Sequence, residues 1–494
     1  MAKNLKKLVL LHSNDMHGDF LAEHVDENLV GGVAMLSGYV SKVRAEEENV
    51  LYCIAGDMFR GSVIDSDYQG LSTIQIMNLI APDIATIGNH ETDYGVAHLL
   101  FIEKCAAFPI VNANLHIRLN GARLFSPCKV LEVGGMKILF IGILTEQVIS
   151  QTKQDGIIGS VVDIEDAAKE VGRICDAYRS TDIDFTVLLT HIGFEEDKAL
   201  AAILDPEWGV DVIIGGHSHT FLKEPAVVNG IPVVQAGTGT DQIGRFDIMI
   251  DTDLNAIDSY TWQTIPINAE TCPRDEVVEE HIRSLKTKVD EKYGRIITHF
   301  KRELTHPKRE QETEIGDVFA EGLRHSLGVD IAFVGSGSIR NPKCGPIVTL
   351  GDLNEVFPYN DPVYLLKVTG GQLRRMLRYM CRDDVWAGVH NEFFQFSDGV
   401  RFVYYQSLQD FTEFSLNGKP IEEDDIITIS LGRYHYNNFE EDFNVPLQEV
   451  EKNGKARVIA TSDRAVLEEY LQGHQQLGHD VDGRLEIHLG DERP

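Results

Sequence analysis

Short β-branched apolar runs alternate with amphipathic stretches through the first half of the chain, a pattern that belongs to layered α/β folds. The expected strands are Leu8–Leu11, Leu51–Ala55, Ile84–Ile87, Ile110–Asn112, Ile138–Ile143, Phe185–Leu189, Val212–Ile214 and Val233–Gln235. Between the first two, Val33, Leu36, Val40 and Val43 recur at three- and four-residue spacing, so one helix with an apolar face is expected there.

The pattern changes at TCPRDEVVEEHIRSLKTKVDEKYGRI, where Pro273 stands near a helix start, charges dominate and Gly294 ends the run. This divides the chain into a first domain over 1–271, a connecting helix within 272–299 and a second α/β domain over 300–494. In the second domain a helix is expected over Thr313 to Leu327 and a strand at IAFVGS. TGGQ opens a further helix with a capping box through Gln372, and Asn417-Gly418 makes a hairpin turn.

Composition closes off several functions. Lys and Arg total 45 against 77 Asp and Glu, a formal charge of −32, and such a chain repels a polyanion, so no nucleic-acid partner is expected. No stretch of 18 apolar residues occurs, so no membrane span is expected either. The start MAKNLKKLVLLHSND reads as a core strand rather than a leader. Seven scattered cysteines without a CxxC pair argue against a disulfide framework, and a cytoplasmic location is expected.

The chemistry stands just beyond the strands. HSNDMHGD supplies Asp15 and His17, AGDMF supplies Asp57, and GNHETD supplies Asn89, His90 and Asp93. THIGF supplies His191, and GGHSHT supplies His217 and His219. Taken singly, each fragment has an ordinary reading as a turn, a helix cap or a surface pair. Layered sheets, however, gather the loops beyond their strand ends into one place. Seven oxygen and nitrogen donors are too many for one tetrahedral ion and enough for two that share a carboxylate. Two divalent ions, with Mn, Zn, Co, Fe and Mg as candidates, suit phosphoryl chemistry. His90 and Asp93 stand three residues apart, so in a helical turn the carboxylate can orient the imidazole beside the metals.

With these motifs in order, the chain resembles the 5'-nucleotidase family of two-domain metallophosphoesterases. The resemblance implies an α/β fold, with an N-terminal four-layer αββα calcineurin-like domain and a C-terminal α/β substrate-binding domain. It implies that Asp15, His17, Asp57 and His219 hold one ion, and that Asp57, Asn89, His191 and His217 hold the other. His90 and Asp93 match the family's catalytic pair.

In the second domain GSGSIR resembles the family's GGGIR and implies a ligand-binding Arg340, while Arg309 matches a second family arginine. FPYND and YHYNNFEED resemble the segments that sandwich the base, which implies Tyr359 and Tyr436 as the aromatic pair and Asp442 as the ribose-binding carboxylate. Gly335 stands where the family commonly has Asn, and Glu440 and Glu441 stand where it has glycines. The function implied is phosphate release from nucleoside 5'-monophosphates. The alternatives are hydrolysis of nucleotide sugars, dinucleotides or cyclic nucleotides, and a non-catalytic nucleotide sensor.

Overall fold

The computed structural model describes residues 3–25, 28–117, 120–144, 158–159, 163–387, 391–478, 480–490 and 492. They form two compact units, Met1–Val289 and Asp290–Pro494.

In the first unit one six-stranded sheet runs in the spatial order Ala256–Pro266, Gln242–Asp251, Leu5–Ser13, Val50–Ala55, Ile84–Thr86, Ile110–Val111. The last four are parallel to one another, and Gln242–Asp251 joins Leu5–Ser13 antiparallel. The second sheet has the order Ala226–Val228, Ile231–Val234, Val212–Ile214, Phe185–His191, Met136–Leu144, Cys128–Val133, parallel in its interior and antiparallel at both edges.

The two sheets pack face to face. Leu8, Leu10, Cys53 and Ile84 from the first meet Ile138, Phe140, Val187 and Ile214 from the second in one buried cluster. Alternate residues such as Leu139, Ile141, Leu188 and Ile213 point the other way, onto the helices Ile164–Tyr178 and Phe194–Ile203. The helix Val33–Glu46 packs beside Val50–Ala55 on the outer side of the first sheet, so both sheets are covered and the unit is a four-layer αββα sandwich. Every strand expected from sequence in the first half is present, with ends that differ by at most three residues. The antiparallel strands were not anticipated, because stretches such as QIGRFDIMID alternate buried and half-exposed residues rather than reading as solid apolar runs.

The helix at the join runs Glu276–Tyr293 and is followed by the strand Ile296–His299. In the second unit a five-stranded mixed sheet has the order Phe394–Phe396, Ile331–Gly335, Ile426–Gly432, Val363–Thr369, Arg457–Ala460. Thr313 caps the helix Glu314–Leu327, and Thr369 and Gln372 form the expected capping box of Gly370–Met380. Asn417 and Gly418, with φ of 51° and 72°, turn the chain between Asp410–Leu416 and Lys419–Pro420.

Candidate functional site

In the first unit the loops beyond five strands converge. Asp15 and His17 follow Leu5–Ser13, Asp57 follows Val50–Ala55, and Asn89 and His90 follow Ile84–Thr86. His191 ends Phe185–His191, while His217 and His219 follow Val212–Ile214. The backbone is strained to aim these groups: Asp15, His17, Asp57, His217 and His219 have φ of 51°, 49°, 52°, 80° and 52°. Non-glycine residues enter the left-handed region only where the surroundings hold them there.

The donors form two adjoining sets. His17 Nε2 and His219 Nε2 lie 2.9 Å apart, and they stand 3.9 and 3.5 Å from Asp15 Oδ1. In the other set His191 Nε2 is 3.1 Å from Asp57 Oδ2, and His217 Nδ1 is 3.0 Å from Asn89 Oδ1. Asp57 Oδ2 is also 4.0 Å from His17 Nε2, so this carboxylate lies between the sets.

Divalent cations fit this arrangement. His191 Nδ1 donates to Ala55 O at 2.9 Å, which leaves the lone pair on Nε2. That nitrogen is fully buried and makes no well-directed hydrogen bond. Burial presses the His191 imidazole toward neutrality, yet the Asp57 and Asp15 carboxylates outweigh it and raise it to about 9. Burial in turn works to raise Asp57, but His191 holds that carboxyl well below the usual range. Two buried carboxylates therefore demand positive charge from their surroundings, which a bound cation supplies.

Supporting residues keep the donors in place. Asn14 Nδ2 donates to Asp15 Oδ2 and to Gly237 O, both at 2.7 Å, and His217 N reaches Asp15 at 3.0 Å. The buried Glu91 carboxylate gathers the N–H groups of Gly88, Asp57, Met58 and Phe59, pinning the Asp57 loop to the Asn89 loop. Gly88 can only be glycine at this crossing, since a Cβ there would lie 2.2 Å from Asp57 Oδ1.

Beside the donors, His90 Nδ1 donates to Asp93 Oδ2 at 2.7 Å across one short helical turn. The hydrogen bond to Asp93 raises the imidazole against the opposing effect of burial. The His90 ring stands edge-on to His17, 5.2 Å between centroids, so the pair borders the donor sets. His12, by contrast, is fully buried and accepts from Trp262 Nε1 at 3.0 Å, which makes it a core residue.

The second unit holds a cavity of about 310 Å³. Arg309, Arg340 and Tyr359 line it, as does Tyr434. Tyr436 is not among its walls. It stacks on Tyr364 with centroids 4.0 Å apart and planes 5° apart, against the core. The short helix Arg433–Asn437 explains the correction, because positions two apart on a helix point to opposite sides. Asp442 also stands behind the cavity wall, buried, accepting from His435 Nδ1 at 2.9 Å. The His435 ring covers Gly335, where a Cβ would come within 2.1 Å of Nε2, so the space of the family's asparagine is taken by an imidazole.

Glu392, Asp361 and Asp463 also line the cavity; of these only Asp361 falls within a quoted motif, FPYND, and it was not singled out there. Arg60, Asn14 and Glu91 were missed in the first unit. Glu91 was legible within GNHE as a third polar residue after a strand, whereas Arg60 had no motif to mark it.

A calcineurin-like phosphoesterase family model matches residues 8–221, and one for the 5'-nucleotidase C-terminal domain matches residues 291–444. Mouse (Mus musculus) 5'-nucleotidase is 29% identical over 422 residues, covering 76% of this chain and 71% of its own length. Snake venom 5'-nucleotidase of Naja atra is 28% identical, covering 76% and 78%. Among solved structures, a 5'-nucleotidase precursor from Thermus thermophilus has the same fold, with a TM-score of 0.60 at 24% identity over 99% of this chain and all of that one. A putative 5'-nucleotidase from Staphylococcus aureus superposes with a TM-score of 0.63 at 16% identity, covering 98% and 99%.

Proposed function

Since the chain belongs to the two-domain 5'-nucleotidase family of metallophosphoesterases, we propose that it hydrolyses nucleoside 5'-monophosphates, with metal chemistry in residues 1–271 and nucleoside recognition in 300–494. The observation that carries this reading is the convergence of the seven donors beside the His90–Asp93 pair. Two cations fit best: Asp15, His17, His219 and Asp57 would hold one, and Asp57, Asn89, His191 and His217 the other. Imidazole-rich donors favour Mn, Zn, Co or Fe over Mg.

Cations bound there supply Lewis acidity toward phosphoryl oxygens and water. The remaining work falls to the chain itself. Asp93 keeps the His90 Nδ1 proton, so His90 presents Nε2 to the phosphoryl group and the departing oxygen. In the second unit, Tyr359 and Tyr434 supply flat faces for a base, and Arg309 and Arg340 supply forked donors for an anionic or polar ligand.

The test is phosphate release by purified protein, stripped of metal and reloaded with Mn, Zn, Co or Mg, across 5'- and 3'-mononucleotides, cyclic nucleotides and UDP-glucose. The reading expects 5'-mononucleotides to dominate and Asp57→Ala to abolish turnover. Hydrolysis confined to diesters or pyrophosphates, or full activity without metal, would reject it. No helix among the described residues is long and apolar enough to cross a membrane. All seven cysteines are free thiols, which supports a reducing compartment such as the cytoplasm. Recovery of the native protein from an oxidising compartment would overturn that placement.

A further inference from the structure

Arg484, in the second unit, is only 2% exposed and stands among carboxylates. All five of its N–H groups are engaged. Nε donates to Asp482 at 2.9 Å, Nη1 to the carbonyl oxygens of Asp317 and Phe396 at 3.3 and 3.1 Å, and Nη2 to Glu321 and, at 3.5 Å, to Asp482. None of them reaches the Asp317 carboxylate: Nη1 is 3.6 Å from Oδ1, beyond hydrogen-bond distance. Asp317 is fully buried, yet among the described residues neither of its carboxylate oxygens has a hydrogen-bond partner.

What this carboxylate faces is more acid. One oxygen each of Glu312, Asp317 and Asp482 lie within 4.8 Å of one another. Glu312 is held in place by the chain end, since Oε1 accepts from Asp482 N and Gly483 N at 3.0 Å and Oε2 accepts from Leu485 N at 3.3 Å. The three acids therefore come from the helix Glu314–Leu327, from the loop before it and from the segment that enters the strand Leu485–His488. With Glu321, four carboxylates stand against the one guanidinium of Arg484. The neighbouring Arg302 is shared by Glu314 and Asp480, and Arg401 by Glu413 and Glu486, so neither offsets the excess. Burial pushes the Asp317 carboxyl up to about 9, with Glu312 and Asp482 adding to the effect and Arg484 opposing it.

We propose that Glu312, Asp317 and Asp482 hold a hard divalent cation, calcium, which clamps the strand Leu485–His488 to the helix Glu314–Leu327. Facing carboxylates need a proton or a cation between them. A single proton removes one of the three excess charges, whereas a divalent ion removes two. Every donor is an oxygen, with no imidazole or thiolate, which sets this group apart from the donor sets of the first unit and selects a hard ion. Calcium accepts an irregular set of carboxylates and completes it with water, and the exposed Asp482 opens the group to solvent. The strand it would secure lies at a sheet edge, paired only with Val400–Tyr405 among the described residues.

Thermal unfolding and calorimetric titration with calcium chloride test it, on the full chain preloaded with manganese and on Asp57→Ala, in which the first-unit donors are disabled. Neither readout depends on hydrolysis. In both proteins one calcium per chain is expected to bind and to raise the melting temperature by at least about 2 °C at saturation. Sodium chloride of equal ionic strength should not reproduce the rise. Asp317→Asn is expected to abolish it. Without calcium, that variant should melt no lower than its parent, because it removes a like-charge contact, and this separates loss of the ion from loss of the fold. Asp482→Asn, at the exposed edge, should weaken calcium by about ten-fold or more. Binding that survives both substitutions overturns the proposal. Absence of calcium binding also overturns it and leaves a proton shared between Asp317 and Glu312. Magnesium binding as tight as calcium overturns the choice of ion.

Discussion

Asp93 Oδ2 receives His90 Nδ1 at 2.7 Å, and the same oxygen receives Arg60 Nη1 at 2.5 Å, so one carboxylate oxygen serves both donors. Arg60 thereby fixes the carboxylate that fixes the imidazole. Asp93→Asn is expected to lower kcat by roughly 10²–10⁴ with metal content unchanged, as for loss of an oriented acid–base group. Arg60 is 57% exposed, so screening limits Arg60→Ala to a loss of about ten-fold. Steady-state kinetics with parallel metal analysis checks both, and a normal kcat for Asp93→Asn removes His90 from the chemistry.

Tyr434 and Tyr436 separate recognition from stability. Tyr434→Ala is expected to raise KM for nucleotides about ten-fold, since a ring–base stack is worth roughly 1–3 kcal/mol. Tyr436→Ala should leave KM alone and destabilise the fold through loss of its stack on Tyr364, worth about 0.5–1.5 kcal/mol beyond buried area. The reverse pattern in KM and melting temperature would place the base on the other face of the helix.

Glu91 is expected to govern metal retention rather than chemistry. Its carboxylate ties the N–H groups of Asp57, Met58, Phe59 and Gly88, and Glu91→Ala leaves these buried donors unpaired. After dialysis, elemental analysis should show that the variant has lost most of its metal. Full occupancy would show that the Asp57 loop holds its shape unaided.

Asp463 lines the aromatic cavity, and burial pushes its carboxyl up to about 7 even though it accepts from the N–H groups of Asp361 and Arg464. The folded pKa lies above the ordinary value of 3.8, so the folded state holds this proton more tightly than the unfolded chain. Its contribution to stability is therefore greatest below about pH 4 and declines as pH rises toward 7. Asp463→Asn should gain stability relative to the natural chain between about pH 5 and 8, by on the order of 1 kcal/mol. Thermal unfolding of both chains across that range measures it, and parallel pH curves would show that Asp463 titrates normally.

The donors of the first unit were legible because each sits within a few residues of a strand end, and a parallel sheet brings its strand ends together whatever the details of packing. Asp15, Asp57 and His191 could be named from position alone. Arg60 and Asn14 could not, since their roles depend on which carboxylate a neighbouring loop presents. The aromatic pair was half legible: FPYND marks Tyr359, whereas YHYNN offers two tyrosines and the sequence does not state the phase of a five-residue helix.

By itself, then, the sequence determined most strand positions of the first unit, the layered fold and which polar side chains stand at the strand ends, because local hydrophobic pattern and motif order depend on neighbours in the chain. Only the tertiary structure decided that Tyr434 rather than Tyr436 faces the cavity, that Asp442 supports His435 and that Glu91 clamps two loops. Those outcomes depend on side-chain direction and on contacts between distant segments, which appear only once the chain is packed.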